Sequence, residues 1–179
     1  MSNLSTTEMQ LLVVTGAYAV ALVVVVYLTR AGRRRVAGAF AGGLSAGVVG
    51  LAATAVAGLN AWWTVLPGQA PRGWTVIVAA FAIASTPIHL LTWRVVRRYG
   101  MRGLAICVGL AGIVGPPRDY AYAAAFPNWI VFSPGITPVL AVAVTYVLWI
   151  AVGYGVMRLV AGPADADALR RHRATLIHT

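Results

Sequence analysis

The chain of 179 residues is 60% hydrophobic and 10% charged, with a formal net charge of +10 and a mean hydropathy of +0.80. A water-soluble domain of this length carries roughly 25% charged residues, so a single soluble core is excluded and a bilayer is the solvent that suits this composition. All fourteen basic residues are arginine, and most stand just beyond an apolar run, where they orient a membrane protein rather than bind nucleic acid.

In chain order, residues 1–8 form a short polar tail. Residues 9–29 carry no charge and, at 1.5 Å per residue, reach about 31 Å, enough to span the hydrocarbon layer. This run lacks preceding positive charge and is too long for a signal core, so a retained helix is expected. Arg30, Arg33, Arg34 and Arg35 stop it. The second span, 36–58, is rich in small residues: Gly38/Gly42 and Gly43/Gly47 are small-xxx-small pairs, which let helix backbones approach closely in lipid. That helix is expected in the middle of the bundle. A loop follows with Asn60, Trp62, Trp63, Pro67, Gly68, Pro71 and Arg72, its tryptophans reading either as an interfacial belt or as stacking surface for a ligand.

The third span, 74–93, contains Ser85, Thr86, Pro87 and His89 and ends in Arg94, Arg97, Arg98 and Arg102. His89 reads either as a hydrogen-bonded packing residue or as part of a binding site. The fourth is the informative one. Residues 103–115 make only about 20 Å of helix, so the segment is either re-entrant or continues through Gly115-Pro116-Pro117-Arg118-Asp119-Tyr120 to about residue 125, and the apolar run 121–126 favours the second. Two prolines behind a glycine predict a broken or kinked helix there, with Asp119 capping the second half and Arg118 attracted to the end of the first. Being consecutive, Arg118 and Asp119 are expected to face different ways, each with a partner elsewhere: Tyr122 for either charge, Asn60 or Thr54 from the second helix. The fifth span, 138–160, places Thr145, Trp149 and Gly153 on one face with Tyr146 and Tyr154 beside it.

The fold expected is therefore all-α: an integral membrane bundle of about five transmembrane helices forming one domain over 1–163. Residues 164–179 form a short cytoplasmic tail that suits a surface helix. With the N-terminus outside, twelve arginines fall on the inner side against Arg72 and Arg118 on the outer, which predicts a bacterial cytoplasmic (inner) membrane protein with its C-terminus inside.

No established catalytic motif is present. Asp119 is the one carboxylate expected in the apolar region, so paired-carboxylate chemistry lacks a second member. No His/Asp/Glu cluster suits a metal, no phosphate loop is present, and no cofactor is expected. Cys107, the single cysteine, rules out an intramolecular disulfide and reads as a packing residue. An enzyme built from this chain would use Asp119 as its acid. Arg118, Tyr120, Tyr122, Asn60, Trp62, Trp63 and His89 would line an apolar, outer-side substrate pocket.

The GPPRDY run, Phe132-Ser133-Pro134-Gly135 and the stretch Met157-Arg158-Leu159-Val160-Ala161-Gly162-Pro163 resemble an uncharacterised family of small bacterial multi-pass membrane proteins, over most of residues 30–173. That likeness brings no activity with it. The aromatic residues and the acid at the membrane face are also similar, in a general way, to integral-membrane carotenoid and terpenoid cyclases. Those usually show more than one carboxylate, and this chain departs from that pattern. The likeness implies an isoprenoid- or lipid-like substrate, bound or transformed around Asp119. Two other functions fit the composition. A broken helix suits a small-solute transporter or channel subunit, which with so few helices would work as a homo-oligomer. The arginine-rich inner face suits membrane lipid or a larger membrane complex, in which the chain would be an assembly subunit.

Overall fold

The computed structural model describes residues 6–65, 74–127 and 130–163. The tail over 164–179, and the Pro67 to Arg72 part of the first loop, lie outside the described residues. The architecture is all-α: α1 (Thr6–Thr29), α2 (Arg33–Leu59), α3 (Trp74–Ala125) and α4 (Ile136–Ala161), with two short strands, β1 (Trp63–Val65) and β2 (Ile130–Phe132). Among the described residues, Arg33–Leu59, Phe81–Ala125 and Ile136–Ala161 are long and apolar enough to cross a membrane, and Val13–Thr29 is a shorter apolar helix.

The break in the long helix is not where the prolines predict it. Pro116 and Pro117 lie inside α3, and the residue that leaves helical geometry is Gly100, at φ 61 and ψ −146. That conformation is open to glycine and strained for other residues. Proline's fixed φ fits a helix, so its cost is lost hydrogen bonds rather than an obligatory stop. Arginine and tyrosine are no helix breakers, so the Arg94 to Tyr99 stretch continues the helix up to the glycine. As one straight rod the 52 residues of α3 would run about 78 Å. They do not. The helix starts just after β1 and ends just before β2, and those strands pair antiparallel, with Trp63 opposite Phe132 and Val65 opposite Ile130. Both ends of α3 therefore lie at the strand end of the bundle, and the element doubles back at Gly100 into two arms, 74–99 and 101–125.

The core lies where α2, α3 and α4 meet, with α1 against α3. Their contact is made by missing side chains. A Cβ on Gly38 would sit 2.7 Å from the Ala161 Cβ and 3.0 Å from the Met157 carbonyl of α4; one on Gly42 would collide with the Gly153 carbonyl; one on Gly43 would sit 2.5 Å from the Ala82 carbonyl of α3. Successive glycines thus face two different helices, which places α2 between them. In lipid no hydrophobic gain drives this association, so close backbone contact supplies the attraction. Leu90, Trp93, Val96, Tyr154 and Met157 fill the adjoining core, with Leu22, Val25 and Val26 of α1 packed on it.

The ends follow from capping. At the C-terminus of α2, Ala61 takes φ 54, its N–H bonds the Gly58 carbonyl at 3.3 Å, and the Trp62 N–H bonds the Ala57 carbonyl at 2.9 Å. This is the Schellman arrangement with alanine in the left-handed position. Arg30 closes α1 the same way at φ 49, with Ala31 N–H bonded to the Val26 carbonyl at 3.4 Å. Arginines finish the task from neighbouring helices. Arg94 Nη1 donates to the Leu28 carbonyl at 2.7 Å, Arg34 Nε to Val160 at 3.3 Å, and the buried Arg35 to Gly162 at 2.6 Å and Pro163 at 2.9 Å. The arginine end of the bundle is thus also where α1 and α4 present their unpaired C-terminal carbonyls.

Gly42→Leu should force α2 from α4 and cost about 1–3 kcal/mol or more, the usual penalty of overpacking. Gly16→Ala, where nothing lies within 4 Å, should be silent or slightly stabilising. Thermal unfolding in detergent checks the pair, and equal effects at the two positions would contradict the packing described.

Candidate functional site

Near the strand end, the second arm of α3 carries Arg118 and Asp119, and their side chains do meet. Arg118 Nη1 donates to Asp119 Oδ1 at 3.0 Å. The expectation that consecutive residues must look apart is corrected by arginine's length: its backbone direction differs, but its guanidinium reaches round. The partners from other helices are two tyrosines. Tyr146 of α4 donates its hydroxyl hydrogen to Asp119 Oδ1 at 2.7 Å, and its oxygen accepts from Arg118 Nη1 at 2.5 Å. Arg118 Nη2 donates to the Tyr18 hydroxyl of α1 at 2.9 Å. One guanidinium, one carboxylate and two phenols thus join α1, α3 and α4. The Arg118 and Asp119 side chains are 48% and 31% exposed, so the cluster sits on the flank of the bundle, not in its centre.

Gly115 explains why the motif starts with glycine. A Cβ there would lie within the Tyr146 ring, only 2.8 Å from Cε2. The missing side chain lets the ring lie flat on α3 and carries its hydroxyl to the charged pair one turn further on. Tyr146 is held from its other side by Trp149, edge-on at 5.1 Å between centroids, and Trp149 in turn meets Phe81 edge-on at 6.2 Å.

The remaining expected site residues fall into separate groups. Tyr120 stacks on Phe132 of β2 at 4.4 Å and 14°, and Trp63 leans on the same ring at 5.8 Å. The Tyr120 hydroxyl is buried without a hydrogen-bond partner among the described residues. Trp62 packs beside Trp63 on Ala57 and Val142, in a cluster that Tyr146 also touches. Tyr122 lies against Phe126 at 4.5 Å. The expected bonds from Asn60 and Thr54 to the charges are not made: Asn60 Nδ2 donates to the Val56 carbonyl at 2.8 Å and Thr54 Oγ1 to Gly50 at 2.9 Å, each closing its own helix. His89 is apart from all of these. It is fully buried, with its ring against Gly153 of α4 and near Gly42 of α2, and Gly153 is roughly 10 Å along α4 from Tyr146. Its two ring nitrogens have no hydrogen-bond partner among the described residues, and its ring is packed against glycine backbone.

An open cleft of about 300 Å³ runs beside this region, lined by Tyr120, Ala123, Ala124, Pro127, Ile130, Val131 and Phe132. Asp119 does not line it. Tyr120, Ala123 and Ala124 share a face of α3, with Pro127 just beyond its end, while Arg118 lies roughly 160° round from Tyr120. Arg118 therefore lies on the side of the arm away from the apolar cleft, and Asp119, roughly 90° round from the centre of the cleft face, lies between the two. The sequence reading did not name Tyr18 as a partner, and it placed Tyr146 only beside an apolar face. The available signal was scarcity: few side chains in the apolar helices can pair a guanidinium, and two of them are these tyrosines.

Tyr146→Phe should cost about 1–3 kcal/mol, as it removes a donor to a carboxylate and an acceptor for a guanidinium, and exposure of Arg118 keeps the loss toward the lower figure. Combined with Asp119→Asn it should be non-additive by at least about 0.5 kcal/mol. A double-mutant cycle by denaturant titration in mixed micelles measures this; strict additivity would mean the hydroxyl and carboxylate are energetically independent. Comparison of the chain with protein-family models, with curated proteins and with solved structures finds no match.

Proposed function

We propose that the protein is an integral protein of the bacterial inner membrane that crosses it five times, with α3 supplying two crossings, and that it binds an isoprenoid- or lipid-like molecule near its outer face. The arginine end then lies in the cytoplasm, by the positive-inside rule, and the strand pair with its tryptophans lies at the outer interface. The observation that carries the binding reading is the cleft: six apolar or backbone-lined residues and one aromatic hydroxyl, open to the side of the bundle where lipid is the solvent. The buried Tyr120 hydroxyl supports it further. An unpaired hydroxyl is costly away from water, and a ligand carbonyl, ether or hydroxyl oxygen beside it would satisfy it.

Binding is the function stated, in preference to acid-catalysed cyclisation. An acid catalyst must offer its proton, whereas Asp119 Oδ1 accepts from both Arg118 and Tyr146 and lies off the cleft. Arg118 and Asp119 act in this reading as the brace that fixes the second arm, and Tyr120 with Phe132 as the wall the ligand touches. A transporter built on a broken helix has its unwound backbone near the membrane midplane. Here the interruption is at Gly100, among the arginines, which favours binding over transport.

The test is retention of lipid through purification. Ala124→Trp projects an indole from an exposed position into the cleft. It should lower the recovered amount of any specifically retained isoprenoid or lipid about tenfold, the effect of roughly 1.4 kcal/mol, while Ala105→Trp on the same arm, also exposed but away from the cleft, should not. Mass spectrometry of organic extracts reads both. Identical lipid profiles for wild type and Ala124→Trp would end the proposal.

A further inference from the structure

The outer-side cleft leaves the opposite end unexplained. Nine described arginines gather there: Arg30, Arg33, Arg34, Arg35, Arg94, Arg97, Arg98, Arg102 and Arg158. No carboxylate stands among the described residues at that end. The sequence beyond Pro163 holds Asp165 and Asp167, but also Arg170, Arg171 and Arg173.

These arginines divide by what they touch. Arg34, Arg35 and Arg94 cap helix carbonyls, as described above. Arg97 lies over the Trp93 ring at 5.7 Å and Arg98 over Tyr99 at 5.4 Å. The side chains of Arg30, Arg33, Arg102 and Arg158 are exposed and have no hydrogen bond or ion pair among the described residues. Arg33 opens α2 at the positive end of its dipole, so its charge adds to an already positive potential instead of offsetting a negative one. Arg30 occupies a left-handed position that asparagine or glycine would take more cheaply. Among the described residues, no hydrogen bond or ion pair ties these four guanidinium groups to the fold.

We propose that this end binds anionic phospholipid specifically, with Arg30, Arg33, Arg102 and Arg158 as the phosphate-contacting residues. Charge selects the anion, and the neighbouring surface selects a lipid over an acidic protein. Each of three arginines stands beside an exposed apolar side chain one or two residues away: Leu28 at 62% exposure beside Arg30, Met101 at 67% beside Arg102, and Leu159 at 84% beside Arg158. A soluble acidic partner would meet the guanidinium groups and leave that apolar rim in water. A phospholipid covers both, placing its phosphate on the arginine and its acyl chain on the leucine or methionine. The inference stands independently of the outer cleft, since no residue is shared.

The experiment is native mass spectrometry of the detergent-purified protein titrated with phosphatidylglycerol or with phosphatidylcholine of the same acyl chains. Wild type should retain phosphatidylglycerol at markedly lower concentration, and the preference should weaken as salt rises. Each arginine removed should weaken phosphatidylglycerol retention about fivefold, so the triple variant Arg30→Gln, Arg33→Gln, Arg158→Gln should bind both lipids alike. None of the three side chains makes a hydrogen bond or ion pair among the described residues, and an unchanged circular dichroism melt would establish that the variant is folded; should it fail to fold, the Arg102→Gln and Arg158→Gln single variants carry the same fivefold expectation. Equal retention of the two lipids by wild type would overturn the proposal, as would an unaltered preference in folded variants. So would displacement of phosphatidylglycerol by millimolar inorganic phosphate at constant ionic strength, which would show a soluble-anion site, or by polyglutamate, which would show an acidic-protein surface.

Discussion

A helix in hydrocarbon has little to gain from burying leucine, since lipid is as apolar as a protein core. What holds this bundle together must therefore be contact closer than lipid can make, and the glycines of α2 provide it. Gly38 and Gly42 bring the α4 backbone to within van der Waals contact, and Gly43 does the same for the first arm of α3. The same removal of side chains recurs at two polar rings: Gly153 admits the imidazole of His89, and Gly115 admits the phenol of Tyr146. Small residues here set the distances between helices, and those distances decide which functional groups can touch.

The second constraint is that polar groups away from water must pair within the protein. Two solutions appear at the two ends. At the arginine end, guanidinium groups reach across to carbonyls that no further helical turn can satisfy, as Arg94 does for Leu28 and Arg35 for Gly162 and Pro163. Basic residues at this end thus cap the helices of their neighbours. At the strand end, the loop after α2 and the loop before α4 pair through Trp63–Val65 and Ile130–Phe132, and the Ser133 N–H bonds the Trp62 carbonyl at 2.9 Å. Between them the Arg118–Asp119–Tyr146–Tyr18 cluster closes its own hydrogen bonds. It ties α1, whose apolar surface is largely turned outward, to the second arm of α3.

Composition and the spacing of arginines were enough to read an all-α chain, the apolar segments within a few residues of α1, α2 and α4, and the glycine face of α2. What stayed hidden was every feature that depends on reach across space. The antiparallel strand pair joins residues far apart in sequence, and neither strand is long enough to show alternation. Gly100 drew no attention, because a single left-handed glycine turns a helix hairpin without any run of turn formers. The two prolines signalled loudly and misled. Their φ is helical, so in a helix supported by α1 and α4 they are tolerated where the pattern alone implies a break. Arg118 and Asp119 were legible as a pair needing partners. That those partners were Tyr18 and Tyr146 depended on which helices lie beside α3, a matter of tertiary packing.

The division of the GPPRDY stretch between two sides of one helix arm bears on how the whole region works. Arg118 and Asp119 face the phenols of α1 and α4, while Tyr120 faces Phe132 and the cleft. A residue that braces the arm and a residue that lines the cleft are therefore adjacent in sequence and coupled through one stretch of backbone. Loosening the brace lets the arm rotate or shift, and Tyr120, next in the chain, moves with it. Under the proposed binding function, loss of a charge at position 119 and loss of the ring at position 120 would then produce similar losses of ligand for different reasons. The first acts through stability and arm position, the second through direct contact. The two separate when ligand retention is compared at equal folded fraction: a brace residue loses its effect under that correction, and a wall residue keeps it.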